Sequence, residues 1–271
     1  MPELPEVETV RSGLEPLLVG RRIECVVCHR SSLRYPLPEL TALTGKKVQK
    51  VRRRAKYLLF DLEGGQVLVW HLGMTGQFHV LSQQVEAGAH EHVRFDLADG
   101  QSLRYRDTRR FGYAGLLNGT ELGQHPWFAK LGPEPLSEDF NVDHLSVGCS
   151  GRKAPIKSVI MDAAVVVGMG NIYASESLFR AGIHPARAAK RISHKRLVVL
   201  TEMIKQILAE AIEAGGSSIS DFVHTDGKPG YFSHAFRVYG RQGEICLSCG
   251  KAIKRMIQCG RSTFYCSGCQ H

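Results

Sequence analysis

No stretch of the 271 residues approaches the roughly 18 to 20 uninterrupted apolar positions of a membrane-spanning helix, so no membrane span is expected. The start, Met1-Pro2-Glu3-Leu4-Pro5-Glu6, is acidic and carries prolines where a secretory signal would have a basic end and an apolar run. A cytoplasmic location is therefore the expectation. In that reducing setting the eight cysteines read as metal ligands or thiols rather than disulfides. Internal repeats and low-complexity tracts are also lacking. Acidic residues are scarce: 26 Asp+Glu stand against 35 Lys+Arg, and the net charge of +9 favours a polyanionic partner such as nucleic acid. The shortage is sharpest from Ala235 to His271, where Glu244 faces Arg237, Arg241, Lys251, Lys254, Arg255 and Arg261. A module so charged suits phosphates. With 43% hydrophobic residues the chain is neither disordered nor too short for two domains with cores of their own.

The two ends carry the chemistry. If Met1 is removed, Pro2 becomes a free secondary amine with a carboxylate beside it at Glu3. An α-amino group titrates about 2.5 units below a lysine side chain, so more of it is unprotonated and nucleophilic near neutrality. Its condensation product with a sugar aldehyde is an iminium without a nitrogen proton to lose, which stays cationic and draws electrons for elimination. A chain that keeps Met1 has Pro2 locked in an amide and cannot form it. At the other end, Cys246-x2-Cys249 and Cys266-x2-Cys269, separated by 16 residues, match a four-thiolate zinc ribbon. Cys259 lacks a partner at that spacing and reads as a bystander. Cys25 and Cys28 have it, but on a strand residues i and i+3 face opposite sides, so they read as structural.

Between the ends, Val7, Val10, Leu14, Leu17 and Leu18 recur at helical spacing, with Pro16 expected to bend or end that helix near its last turn. Strand-like runs follow at Ile23 to Cys28, Tyr57 to Leu62, Gln66 to His71, Gln77 to Leu81, His92 to Leu97 and Ser102 to Arg106. Gly64-Gly65 and Asp99-Gly100 lie between runs as hairpin turns, which predicts an antiparallel β-sandwich. The abrupt, proline- and acid-rich stretch 131–139 reads as a connection, and helices dominate beyond it. One is expected from Asn171 to Ala181 and another from Ser193 to Ala214, the latter with an apolar face of Leu197, Leu200, Ile204, Ile207, Leu208 and Ala211. Residues 215–230, rich in Gly and Ser, read as a loop.

Several short motifs have a bland reading and a functional one. Gly168-Met169-Gly170-Asn171 is a capped helix start, or a turn offering backbone donors to a phosphate. Arg52-Arg53-Arg54-Ala55-Lys56 is a solvated strand edge, or a face toward DNA. Arg261, inside the ribbon, is a surface arginine or a rigidly presented phosphate ligand. Met74, on a loop, and Phe111, beside Arg109 and Arg110, are core residues or a wedge filling the space of a displaced base.

Taken in order, Pro2-Glu3-Leu4-Pro5-Glu6-Val7-Glu8, Arg53-Arg54-Ala55-Lys56-Tyr57, His71-Leu72-Gly73-Met74, Arg109-Arg110-Phe111-Gly112, Gly170-Asn171-Ile172-Tyr173, Asp226-Gly227-Lys228-Pro229-Gly230-Tyr231 and the closing ribbon resemble bacterial formamidopyrimidine-DNA glycosylase over the whole chain. The resemblance implies an α+β protein. Its N-terminal antiparallel β-sandwich domain would span 1–131 and a linker 132–140. A helix-two-turns-helix domain with a lid loop at 217–231 would span 141–235, and a zinc finger 236–271. It implies a bifunctional base-excision enzyme acting on double-stranded DNA that contains oxidised purines, 8-oxoguanine opposite cytosine and formamidopyrimidines. The enzyme is expected to be a monomer with one structural Zn2+ on Cys246, Cys249, Cys266 and Cys269 and no organic cofactor. Pro2 would be the Schiff-base nucleophile and Glu3 the proton donor. Lys56 and Arg261 would contact phosphate and donate protons, Arg261 in δ-elimination. Asn171 and Lys157 would bind DNA, Met74 and Phe111 would fill the emptied stack, and Arg109 would read the orphaned cytosine. Thr108 stands where the family often has proline, which loosens that loop. Two alternatives are an endonuclease VIII-like glycosylase for oxidised pyrimidines, which typically lacks the Met and Arg-x-Phe wedge, and a non-catalytic zinc-ribbon DNA-binding protein.

Overall fold

The computed structural model describes residues 1–216 and 235–271, so the lid expected at 217–231 and the Asp226–Tyr231 motif lie outside the described residues. The described chain divides into two units, one built on Met1–Ala129 with residues 214–216 and the other on Lys130–Glu213 with residues 235–271.

The first unit opens with helix α1 (Leu4–Leu18), whose residues Leu4, Val7, Val10, Leu14 and Leu18 are buried at the expected spacing; Pro16 lies within its last turn. Eight strands follow: β1 (Ile23–Cys28), β2 (Val48–Arg54), β3 (Tyr57–Leu62), β4 (Gln66–His71), β5 (Gln77–Ser82), β6 (Glu91–Leu97), β7 (Gln101–Arg106) and β8 (Tyr113–Asn118). They form two four-stranded antiparallel sheets, ordered β1-β6-β7-β5 and β2-β3-β4-β8. Buried side chains of both sheets make one continuous core. Phe60 and Trp70 of one sheet meet Phe78 of the other with ring centroids 5.9 and 5.2 Å apart, an aromatic seam at the centre of the sandwich. Gly64 and Gly65 both take positive φ in the three-residue loop that joins β3 to β4.

Two strands escape the sequence reading. In β2 the pairing with β3 shifts between Val48 and Lys50, so the buried residues Val48 and Val51 fall three apart and the alternation of a strand is lost. The other, β8, is the opposite edge of the same sheet, and at Gly115 an added Cβ would meet the Trp127 ring at 2.8 Å.

The second unit holds α2 (Val142–Cys149), the short α3 (Ile156–Ile160), α4 (Asn171–Arg180), α5 (His194–Glu213) and the two-stranded ribbon β9 (Lys254–Gln258) and β10 (Arg261–Tyr265). Every residue of the apolar face expected on α5 is buried. The helix is followed by Gly215 with φ +76, which takes the left-handed position just past the end. In α4 the buried set includes Ser175, Glu176 and Ser177, polar residues that an apolar-face reading does not place inside.

Candidate active site and nucleic-acid contacts

The start of α1 fixes the candidate nucleophile. Pro2 is buried, and Glu3, only 2% exposed, occupies the N-cap of the helix. Glu3 and Glu6 form a reciprocal capping box: the Glu3 carboxylate accepts the Glu6 N–H, and the Glu3 N–H donates to Glu6 Oε2 at 2.9 Å. The apolar face of the helix anchors this arrangement in the core, so residue 2 is held by a rigid element. Burial lowers the affinity of the Met1 ammonium for its proton below the ordinary 8.0; Glu3 and Glu6 oppose that, while Lys56 and Arg109 act in the same direction as burial. An amine in this setting is neutral at lower pH than a free terminus.

Lys56 sits at the β2–β3 hairpin, preceded by Ala55 in the left-handed region at φ +53. Arg53 braces that hairpin, donating to Glu8 of α1 at 2.8 Å and to the Ala55 carbonyl at 3.0 Å. Arg52, read as one of a DNA-facing set, forms a two-bonded pair with Asp61 of β3, both contacts at 2.6 Å. His71, at the end of β4, is pushed down to about 4 by burial and by Lys56 and Arg34, and is therefore neutral at physiological pH. Its Nδ1 accepts the Gly73 N–H at 3.0 Å, which leaves any ring proton on Nε2.

Met74 lies on the β4–β5 turn and Arg109 and Phe111 on the β7–β8 connection. Phe111 is 42% exposed, and the Arg109 guanidinium lies 4.8 Å from the centre of its ring. The two segments touch through backbone: a Cβ at Gly73, whose φ is +70, would fall 2.3 Å from the Phe111 carbonyl carbon. Glycine is required there both for the turn and for the approach.

In the second unit, Asn171 opens α4, and its side-chain amide is held from both sides. Oδ1 accepts the Lys157 ammonium, and Nδ2 donates to the Ser262 carbonyl at 2.8 Å. Lys157, only 2% exposed, also donates to the buried Thr263 hydroxyl at 2.7 Å. The lysine thus ties α3, the start of α4 and β10 together. Replacing it with methionine is expected to leave the Asn171 and Thr263 oxygens short of a donor and to cost roughly 2–4 kcal/mol in denaturant unfolding. An unchanged midpoint would contradict that role. Arg261 is exposed beside this knot, after a tight turn in which Cys259 and Gly260 take φ +49 and +71.

Glu176 is a residue that the sequence reading missed. Its buried carboxylate accepts the backbone N–H groups of Arg237, Val238 and Tyr239 at 2.7 to 3.1 Å, fixing the approach to the ribbon. The one signal was an acid on the buried side of α4. In the ribbon, the Sγ atoms of Cys246, Cys249, Cys266 and Cys269 lie within 4.8 Å of one another, with individual separations of 3.8 and 3.3 Å. Four thiolates at 2.3 Å from a tetrahedral ion stand about 3.8 Å apart, so the donor set fits Zn2+. These four cysteines hold one structural zinc. Cys25 and Cys28 are exposed and join no such group among the described residues.

A β-sandwich with an acid-capped, buried amino end and a helical unit closed by a four-cysteine ribbon define a zinc-containing DNA-processing protein. Residues 1–114 match the formamidopyrimidine-DNA glycosylase N-terminal domain and residues 131–223 match the formamidopyrimidine-DNA glycosylase H2TH domain. The chain belongs to the formamidopyrimidine-DNA glycosylase family. Formamidopyrimidine-DNA glycosylases of Enterobacter sp. (strain 638) and Caulobacter sp. (strain K31) are 49% and 48% identical to it over the full length of both chains. The crystal structure of the MutM (Fpg) protein from Thermus thermophilus has a TM-score of 0.90 at 41% identity, covering 99% of this chain and 98% of that one. A Lactococcus lactis Fpg variant in complex with a Fapy-dG containing DNA has a TM-score of 0.94 at 34% identity, with 99% of each chain covered.

Proposed function

We propose that this chain, a base-excision DNA glycosylase with abasic-site lyase activity, uses Pro2 as its nucleophile and Glu3 as its proton donor on oxidised purines in duplex DNA. The observation that carries this reading is the buried Pro2–Glu3 pair at the cap of α1. With Met1 removed, the Pro2 nitrogen attacks C1′ of the extruded nucleotide, the glycosidic bond breaks, and the base leaves with a proton. Glu3 protonates the ring oxygen, the sugar opens, and the nitrogen–carbon bond becomes an iminium. Loss of the C2′ proton expels the 3′ phosphate, and a second elimination expels the 5′ phosphate.

Lys56, Asn171 and Arg261 hold the phosphates flanking the lesion, which brings C1′ within reach of the amine. Lys157, buried against Asn171, contributes by fixing that amide. Extrusion of the base costs a few kcal/mol, offset by Met74 and Phe111 in the emptied stack and by Arg109 on the orphaned cytosine. The family match, with Met74, Arg109 and Phe111 present, favours 8-oxoguanine and formamidopyrimidines over oxidised pyrimidines. The eight cysteines are all unpaired as disulfides, which suits a cytoplasmic protein, and we take it to act as a monomer.

Borohydride is expected to trap the Met1-processed protein covalently on an 8-oxoguanine duplex, with the crosslinked peptide beginning at Pro2. Absence of trapping, with processing confirmed by intact mass, would refute the assignment of the nucleophile.

A further inference from the structure

We propose that Thr75 and Asp107 are positioning residues for opposite-base selection, a buried clasp that joins the Met74 turn to the Arg109–Phe111 segment. The proposal rests on the reading that those side chains fill and read the emptied stack. Asp107 is fully buried, and both its oxygens are engaged. Oδ1 accepts the Thr75 hydroxyl at 2.5 Å; Oδ2 accepts the Gly112 N–H at 2.8 Å and the Tyr105 hydroxyl at 3.3 Å. The Thr75 hydroxyl gives its one proton to Asp107, which leaves the lone pairs of the same hydroxyl for another donor. One of them accepts the Arg109 N–H at 3.1 Å. A single carboxylate thus reaches the residue after Met74, the backbone of Arg109 through that hydroxyl, and the residue after Phe111.

Sterics make the clasp tight. A Cβ at Gly76 or Gly112 would fall 2.2 or 1.8 Å from the Tyr105 hydroxyl, so both segments lie directly on the tyrosine that also bonds Asp107. From below, the Asp107 carbonyl is hydrogen-bonded to His92 Nε2 at 2.8 Å and accepts the Arg110 N–H at 3.3 Å. Arg110 is held at φ +56, a left-handed conformation that a non-glycine residue keeps only where its surroundings impose it. The chain has Thr108 rather than proline inside this turn, so no ring restricts the backbone between Asp107 and Arg109. The stiffness that Arg109 needs to tell one orphaned base from another comes from hydrogen bonds instead. Arginine reads a base edge with paired donors in a fixed plane, and that selectivity falls steeply when its backbone wanders.

The test measures single-turnover excision of 8-oxoguanine opposite cytosine and opposite adenine. Each rate is normalised to strand cleavage at a preformed abasic site by the same preparation, which counts the folded, chemically competent fraction. Thr75→Val keeps the shape and removes the hydroxyl; it is expected to lower the cytosine-to-adenine ratio about fivefold to twentyfold. Thr75→Ser is expected to restore the ratio to within about twofold of the parent. Asp107→Asn keeps one acceptor oxygen for two donors, so its amide nitrogen meets either the Gly112 N–H or the Thr75 hydroxyl; it is expected to lower the ratio too, which supplies a second probe should the valine variant fold poorly. Arg109→Ala is expected to lower it at least as far, and Thr75→Val added to Arg109→Ala to lower it no further. If Arg109→Ala moves the ratio and neither Thr75→Val nor Asp107→Asn does, the clasp is overturned while the base-reading role stands. If Arg109→Ala leaves the ratio at the parental value, the base-reading role itself fails, and the clasp with it.

Discussion

Glu3→Gln is expected to bind a lesion duplex as the parent does and to excise 8-oxoguanine roughly 10²- to 10⁴-fold more slowly, the usual worth of a positioned proton donor. The substitution separates chemistry from folding. The glutamine carbonyl oxygen still accepts the Glu6 N–H, and the Glu3 N–H still donates to Glu6, so the capping box survives. What the helix loses is at most one negative charge at its positive end, about 0.3–1 kcal/mol. The lost rate corresponds to about 2.7–5.5 kcal/mol of transition-state stabilisation, several times more. A small shift in melting temperature beside a large loss of excision is the signature. The same terminus predicts a pH profile. The nucleophile is the neutral amine, and burial of Pro2 opposes protonation of the amine that Met1 removal frees, so single-turnover excision should rise with pH as that amine loses its proton. Parental excision by Glu3→Gln, or excision that does not rise with pH, would remove the carboxylate or the buried amine from the mechanism.

Removal of the zinc, by chelation or by Cys249→Ser, is expected to unfold the ribbon and weaken duplex binding roughly 100-fold or more. The buried cluster inside the ribbon consists of Val238, Ile253, Cys246 and Cys266, and two of these four are ligands. Burying two aliphatic side chains is worth about 3–6 kcal/mol, whereas small zinc modules draw about 10–16 kcal/mol from the ion. The metal therefore dominates. Once the hairpin is lost, Ser262 and Thr263 release Asn171 and Lys157, and Arg261 is no longer held beside them. Each charge-assisted contact to phosphate is worth about 1.5–3 kcal/mol, so two lost contacts set the expected scale. The sandwich has its own core and should keep its near-ultraviolet signal through Trp70 and its neighbours. Zinc content, duplex titration and spectroscopy on one sample make the comparison. A zinc-free protein binding with parental affinity would show that the ribbon is not what positions Arg261.

Legibility in the sequence followed the range of the interaction. Hairpin glycines, the α5 face and the ribbon cysteines are local patterns, and each is found where its spacing placed it. The run Arg52–Lys56 reads as a strand edge or a face toward DNA; the pairing shift in β2 hides the strand itself, because one extra residue cancels the period of two. Lys157 read as a DNA ligand from resemblance alone, and its near-complete burial against Asn171 and Thr263 has no counterpart in the residues around it.

By itself the sequence determined the chemistry available to this protein: an amino end able to become a secondary amine beside a carboxylate, a four-thiolate metal site, and a surplus of positive charge. Tertiary structure alone decided which side chains act directly and which act through others. Lys157 reaches Thr263 across 106 positions, Asn171 reaches Ser262 across 91, and Asp107 reaches Thr75 across 32. Hydrogen bonds closed over such distances depend on where the backbone returns in space, and they leave no periodic trace in the chain.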